Sequence, residues 1–181
     1  MIAFDGATWK PTEALWHGRG EITTIAISDH YVAAGGLGPV RVFARDALTT
    51  QLGTDSFATV IAVTWAPGDA LLSAIGDGKK IAVWRTGRWD APAASWEAGS
   101  DYQSALVFHP TRPLLAVGNR DGHVRMYGVA DAQLEKPPLF VDHDVGGVVS
   151  SVAFSPDGTS LLVSAGPPAN QLVRFAVAAT P

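Results

Sequence analysis

Two sets of anchor residues recur along this chain at a spacing of about 40–45 residues, the length of one four-stranded repeat unit. The first set is Ile27, Trp65, Phe108 and Phe154, each ending an apolar run just before a turn. The second is Phe43, Trp84, Tyr127 and Phe175, each ending a later run of the same unit. A repeat of this size cannot bury its apolar face alone. Successive units must stack, and the core must run between them. The best-preserved unit opens with Ser150-Ser151-Val152-Ala153-Phe154-Ser155-Pro156-Asp157-Gly158, followed by Thr159 to Ser164. Pro-Asp-Gly is turn chemistry, because proline presets φ and glycine supplies positive φ at no steric cost. The β-branched and apolar flanks make this stretch a hairpin.

Each unit follows one plan. An apolar strand a is followed by a turn, then strand b, a Gly/Asp turn, strand c and a weaker strand d. The b–c turns are Gly35-Gly36-Leu37-Gly38, Gly76-Asp77-Gly78, Asn119-Arg120-Asp121-Gly122 and Gly166-Pro167-Pro168. With 19 Gly and 12 Pro, helical patches are interrupted every few residues, so the chain reads as all-β. At 47% hydrophobic residues it can fill a core across its 181 residues. A net charge of −4 leaves no electrostatic footprint for nucleic acid or an anionic membrane. The absence of cysteine excludes disulfides, thiolate metal sites and a cysteine nucleophile, and it fits a reducing, cytoplasmic setting. Residues 1–5 have no basic start or long apolar run, so no signal peptide is expected, and no apolar stretch reaches the ~18 residues of a membrane helix.

The N-terminal segment obeys the same plan. Phe4, Trp9, Ala14 and Trp16 repeat Trp84, Trp89, Ala94 and Trp96 at a constant offset of 80 residues. Residues 4–16 should therefore run from the end of a strand c through a strand d. Residues 172–177 form a strand c with no d after them. The expected divisions are 1–17 for the closing c–d segment, 18–55, 56–98 and 99–141 for three full units, and 142–181 for strands a–c of a fourth. Residues 12–16, from this chain or a second copy, are expected beside residues 172–177, since an unpaired sheet edge is a liability. Two copies joined in this way would form an eight-unit homodimer by strand exchange.

These blocks resemble the WD-repeat β-propeller family. Ser151 to Gly158 matches the family's Ser-Val-Ala-Phe-Ser-Pro-Asp-Gly block, and Asp121-Gly122-His123-Val124-Arg125-Met126-Tyr127 matches its Asp-Gly-to-aromatic segment. The resemblance implies a propeller of four four-stranded antiparallel blades per chain. Ala44, Arg85, Gly128 and Ala176 stand where the family's Asp follows its Trp. Of the family's structural hydrogen-bond set, His17 and His143 fall at or near the His position, Ser164 at the Ser position, and Asp77 and Asp121 at Asp positions. The family's top-face contacts, carried over by position, are Glu21, Thr23, Thr59, Ile61, Tyr102, Ser104, Val148 and Ser150, with Arg120 before Asp121. Tyr102 and Arg120 share one unit and are the residue types enriched in interface hot spots.

Catalytic constellations are not evident. The five histidines have no metal-ligand spacing, and His30 and His109 read as solvated turn residues. Gly76 to Lys80 lacks the phosphate-loop pattern, and no Gly-x-Ser-x-Gly elbow occurs. Asp142 and Asp144 flank His143 in a segment read as a d–a loop. Trp9 and Trp89 should pack their own hairpins onto the blade edge. The expectation is a non-catalytic scaffold that presents a loop face to a protein partner, with no cofactor, metal, nucleic acid or membrane. One alternative is a propeller hydrolase or ligand sensor using the central channel. Another is a sensor or tether module of a larger signalling protein.

Overall fold

The computed structural model describes residues 2–4, 7–8, 11–14, 21–54, 57–97, 102–134 and 140–178. Among these the regular elements are eighteen strands and two single turns of 3₁₀ helix, at Pro67–Asp69 and Asp77–Lys79. None of the described residues forms a helix long and apolar enough to cross a membrane.

The strands form four antiparallel blades in chain order. Blade 1 is β3 (Ile22–Ile27), β4 (Tyr31–Gly36), β5 (Gly38–Ala44) and β6 (Ala47–Thr54). Blade 2 is β7 (Val60–Trp65), β8 (Leu71–Gly76), β9 (Lys80–Arg85) and β10 (Ala94–Glu97). Blade 3 is β11 (Gln103–Phe108), β12 (Leu114–Asn119) and β13 (His123–Ala130), with β14 (Gln133–Leu134) and β15 (Phe140–Asp144) both paired to β13. Blade 4 is β16 (Gly147–Phe154), β17 (Ser160–Pro168) and β18 (Gln171–Ala176). The first strands of successive blades lie side by side, β3 on β7, β7 on β11 and β11 on β16.

The core lies between blades, as the repeat length demands. Val63, Leu72 and Trp84 of blade 2 pack on Ala33, Val40 and Val42 of blade 1. Leu106, Leu115 and Tyr127 of blade 3 pack on Ile75 and Ile81 of blade 2. Val152, Leu161 and Val163 of blade 4 pack on Ala105, Ala116 and Val124 of blade 3. The second strands of blades 2 and 3, β8 and β12, read as near-continuous buried runs because both faces are covered.

Two expectations need correction. First, β2 (Pro11–Ala14) does not lie beside residues 172–177 of its own chain. It pairs with β1 (Ile2–Phe4), and among the described residues β18 pairs with β17 alone. The local hairpin, joined by a short connection, takes precedence over pairing across the whole chain. Its c–d character follows the offset of 80, although Ala14 pairs with Ile2 rather than Ala3 after a register shift. Residues 15 and 16 lie outside the described residues. Second, His143 is not in a loop. It sits in β15, opposite Val124, as part of the outer strand of blade 3.

Candidate partner-binding face

The loops before the first strands and the b–c turns lie at one end of the blades. In blade 2 the turn is tied down by Asp77. Its carboxylate accepts from the backbone N–H groups of Ala58 and Thr59 at 3.0 and 3.1 Å, and its own N–H donates to the Thr59 carbonyl at 3.0 Å. Blade 1 joins blade 2 here too, because Gly38 N–H donates to the Ala58 carbonyl at 2.8 Å and Leu37 bridges Thr59. In blade 3, Arg120 N–H donates to the Tyr102 carbonyl at 2.9 Å, which fixes these two residues side by side. Asp121 serves a different purpose from Asp77. It accepts from His123 N–H at 3.0 Å and from the Arg125 guanidinium at 3.5 Å, stiffening its own turn.

Tyr102 is 44% exposed, and Lys79 Nζ of blade 2 lies over its ring, 5.6 Å from the centroid. A cation at that distance is attracted to the ring face. Arg120 is exposed beside them. The structure therefore brings Tyr102, Arg120 and Lys79 together across the seam of blades 2 and 3. Sequence reasoning missed Lys79. Its signal is positional, since it directly follows Asp77-Gly78 in the b–c turn.

The other residues singled out disperse. Glu21, Thr23, Ile61, Val148 and Ser150 are exposed, and Thr59 is half-buried with its N–H held by Asp77. Ser104 is half-buried, and its hydroxyl donates to carbonyls of Gly118 and of Val149 in the next blade. It braces the seam of blades 3 and 4. Ser164 shares a 2.8 Å hydroxyl contact with Ser150. His143 stacks on Phe175, centroids 5.1 Å apart. His17 and Trp9 lie outside the described residues.

The opposite end holds what the sequence concealed. His109 is not a solvated turn residue. It is 2% exposed and reaches from blade 3 to the Gly158 carbonyl of blade 4 at 3.0 Å. His30 contacts Asp69 of blade 2 at 2.8 Å, while the N–H groups of Asp29 and His30 donate to the same carboxylate. Burial opposes ionisation of Asp69, yet bonds from His30, Ser28 and Asp29 outweigh it and hold its pKa below the ordinary value. Trp89 does not sit on its own blade edge. It is buried and meets Tyr31 and Trp65 edge-on at 5.6 and 5.8 Å, sealing the seam of blades 1 and 2. Among the described residues no group of three or more His, Asp or Glu is placed to hold a metal ion.

An arc of antiparallel blades packed first strand to first strand is β-propeller architecture, and the chain resembles the WD-repeat family. The family model described as "WD domain, G-beta repeat" matches residues 93–128 and 136–174. Each match contains the outer strand of one blade and the three inner strands of the next, so the sequence repeat straddles two sheets. No curated protein matches this sequence. The structure is similar to a chain of the mitotic checkpoint complex, with a TM-score of 0.84 at 18% identity, covering 97% of this chain and 54% of that one. It is similar to the Dos1 propeller, with a TM-score of 0.76 at 18% identity, covering 97% and 46%. The computationally designed Ika4 protein superposes with a TM-score of 0.70 at 20% identity, covering 91% of this chain and 96% of that one. The chain thus spans about half the length of the first two.

Proposed function

We propose that this chain is a non-catalytic interaction scaffold whose loop face, centred on Tyr102, Arg120 and Lys79, takes a protein partner. The observation that carries this reading is the Lys79 ammonium over the exposed Tyr102 ring, with Arg120 fixed alongside. A cation over an aromatic face, with a second basic residue hydrogen-bonded to the tyrosine through the backbone, suits a segment that offers a carboxylate next to an apolar side chain. The likeness to a chain solved within the mitotic checkpoint complex supports a role in protein assemblies. A cytoplasmic setting belongs to the same reading and is compatible with a cysteine-free sequence. So does a homodimer, with residues 12–16 of one copy lying on residues 172–177 of the other.

The test is capture of partners from lysate by the purified chain, followed by affinity measurement with the partner so identified. Tyr102→Ala combined with Arg120→Ala should weaken binding at least tenfold, the scale of a hot-spot loss. Raising salt should weaken the intact protein's binding more than the variant's. Unchanged affinity in the double variant for every captured partner removes this face from the function.

A further inference from the structure

The three blade-to-blade seams inside the chain repeat one packing scheme, and both ends of the arc expose the surfaces that the scheme buries. At the middle of each first strand, one side chain faces the preceding blade. In blades 2, 3 and 4 these are Val63, Leu106 and Val152, exposed by 7, 8 and 8% and packed into the three core clusters. The matching residue of blade 1 is Ile25, exposed by 52%. Its neighbour Ile27, which matches Trp65, Phe108 and Phe154, is exposed as well. On each third strand, one side chain faces the following blade. In blades 1, 2 and 3 these are Val40, Ile81 and Val124, exposed by 2, 0 and 0%, whereas Leu172 of blade 4 is 70% exposed. Leu162 is exposed beside it, where Ala33, Ser73 and Ala116 are fully buried in the other blades.

Blade 1 therefore presents exposed apolar side chains where a preceding blade would pack, and blade 4 presents them where a following one would. We propose that the occupant of both is a second copy of this chain. Blade 4 of each copy packs on blade 1 of the other, so that Leu162 and Leu172 meet Ile25 and Ile27. The argument is continuity: the outer faces of blades 1 and 4 present apolar side chains at the positions that make the seams already formed three times within the chain. One contact between unlike faces, made twice about a two-fold axis, closes a ring of eight blades, four from each copy. Arg174, on the same face of blade 4, is engaged within its own blade, its Nε donating to Ser160 Oγ at 2.9 Å. The inference deepens the homodimer included in the reading above, but it places the contact on blade faces and does not require strand exchange.

The experiment is solution mass by light scattering on the 181-residue chain, with circular dichroism to establish folding. The intact chain should run at twice the chain mass. Ile25→Asp and Leu172→Asp, both at exposed positions, should each stay folded and run at the single-chain mass. Mixing the two variants should restore a two-chain species, because one of its two seams is then intact on both sides. A single-chain mass for the intact protein at all concentrations overturns the proposal and the homodimer together. A dimer that survives both substitutions overturns the face contact and leaves strand exchange standing. A mixture that stays single-chain, or a mass above two chains, overturns the closed head-to-tail pair. The loop-face reading is judged separately, by partner capture with the Tyr102 and Arg120 variant.

Discussion

His109 shows how much one buried residue can stitch together. Its Nδ1 accepts from the backbone N–H groups of Thr111 and Arg112 at 3.2 and 3.1 Å. Nε2 lies 3.0 Å from the Gly158 carbonyl and 3.1 Å from Arg112 Nε, whose N–H points at it. The ring meets Phe154 edge-on at 4.8 Å. Burial pushes its pKa down; the Gly158 carbonyl pulls it back and the Arg112 guanidinium adds to the depression. Protonating the ring would set a positive charge beside the Arg112 guanidinium and displace N–H donors that the neutral ring accepts. The unfolded chain therefore takes up this proton first. The stability His109 confers is full above its unfolded pKa of about 6.5 and declines as pH falls from there toward the lowered native value. Urea midpoints at pH 7.5 and 5.5 should differ in the intact protein and differ less in His109→Gln; an equal difference in both removes His109 as the source. Asp157 acts in a more acidic window. Ser155 Oγ at 2.6 Å, Thr159 N–H and Thr159 Oγ1 hold its pKa at about 2, against 3.8. Its contribution is present above 3.8 and is lost as pH falls toward 2. Gly158 closes the same corner. Its φ is +71°, and an added Cβ would lie 2.3 Å from His109 Cε1. Gly158→Ala should cost about 1–3 kcal/mol in chemical denaturation.

At the scale of the strand, one irregularity recurs in every blade. The pairing of the first strand shifts between Ile22 and Thr24, Val60 and Ala62, Gln103 and Ala105, and Val149 and Ser151. An extra residue bends and twists a strand locally and re-aims its side chains. Here it turns Val60 onto Gly35 and Val149 onto Gly118 of the preceding blade, where a Cβ would stand 2.3 Å from each valine's Cγ1. Glycine is needed at those two sites for room, not for φ. Gly118→Ala should destabilise by about 1–3 kcal/mol, as overpacking does. Adding Val149→Ala should recover part of that loss, since the two sites share one contact. Additive losses in that cycle would mean that Gly118 serves something other than the seam.

Among the described residues, blades 2 and 3 are packed on both faces, while blades 1 and 4 are each packed on one. Native-state hydrogen exchange should reflect this difference, with β8 and β12 slowest and β18 fastest among the inner strands of the blades. The reason is that among the described residues β18 has a neighbour on one side only, and local opening there breaks fewer contacts. The measurement belongs at concentrations where the chain runs singly; β18 protected as strongly as β12 under those conditions would show an additional cover on its edge. The seams at the lower end reinforce the central pair, with Arg85 on Asp131 at 2.8 Å and Phe108 N–H on Thr64 Oγ1 at 3.4 Å.

The repeat period, the strand order within each blade and the turns were legible from residue order alone. They depend on alternation, turn chemistry and spacing, which act over a few residues at a time. The top-face residues Tyr102 and Arg120 were legible as positions in a repeat, and the backbone bond between them follows from the strand pairing. The tertiary structure decided the rest. It set Lys79 over Tyr102, buried His109 against Gly158, drew Trp89 into the seam with Tyr31, and paired residues 11–14 with 2–4 instead of with 172–177. The first three of these contacts join neighbouring blades, at separations of 23, 49 and 58 positions along the chain. No local pattern encodes which side chain of one blade meets which of the next. That match is set by how two twisted sheets pack face to face, and it exists only once both have formed.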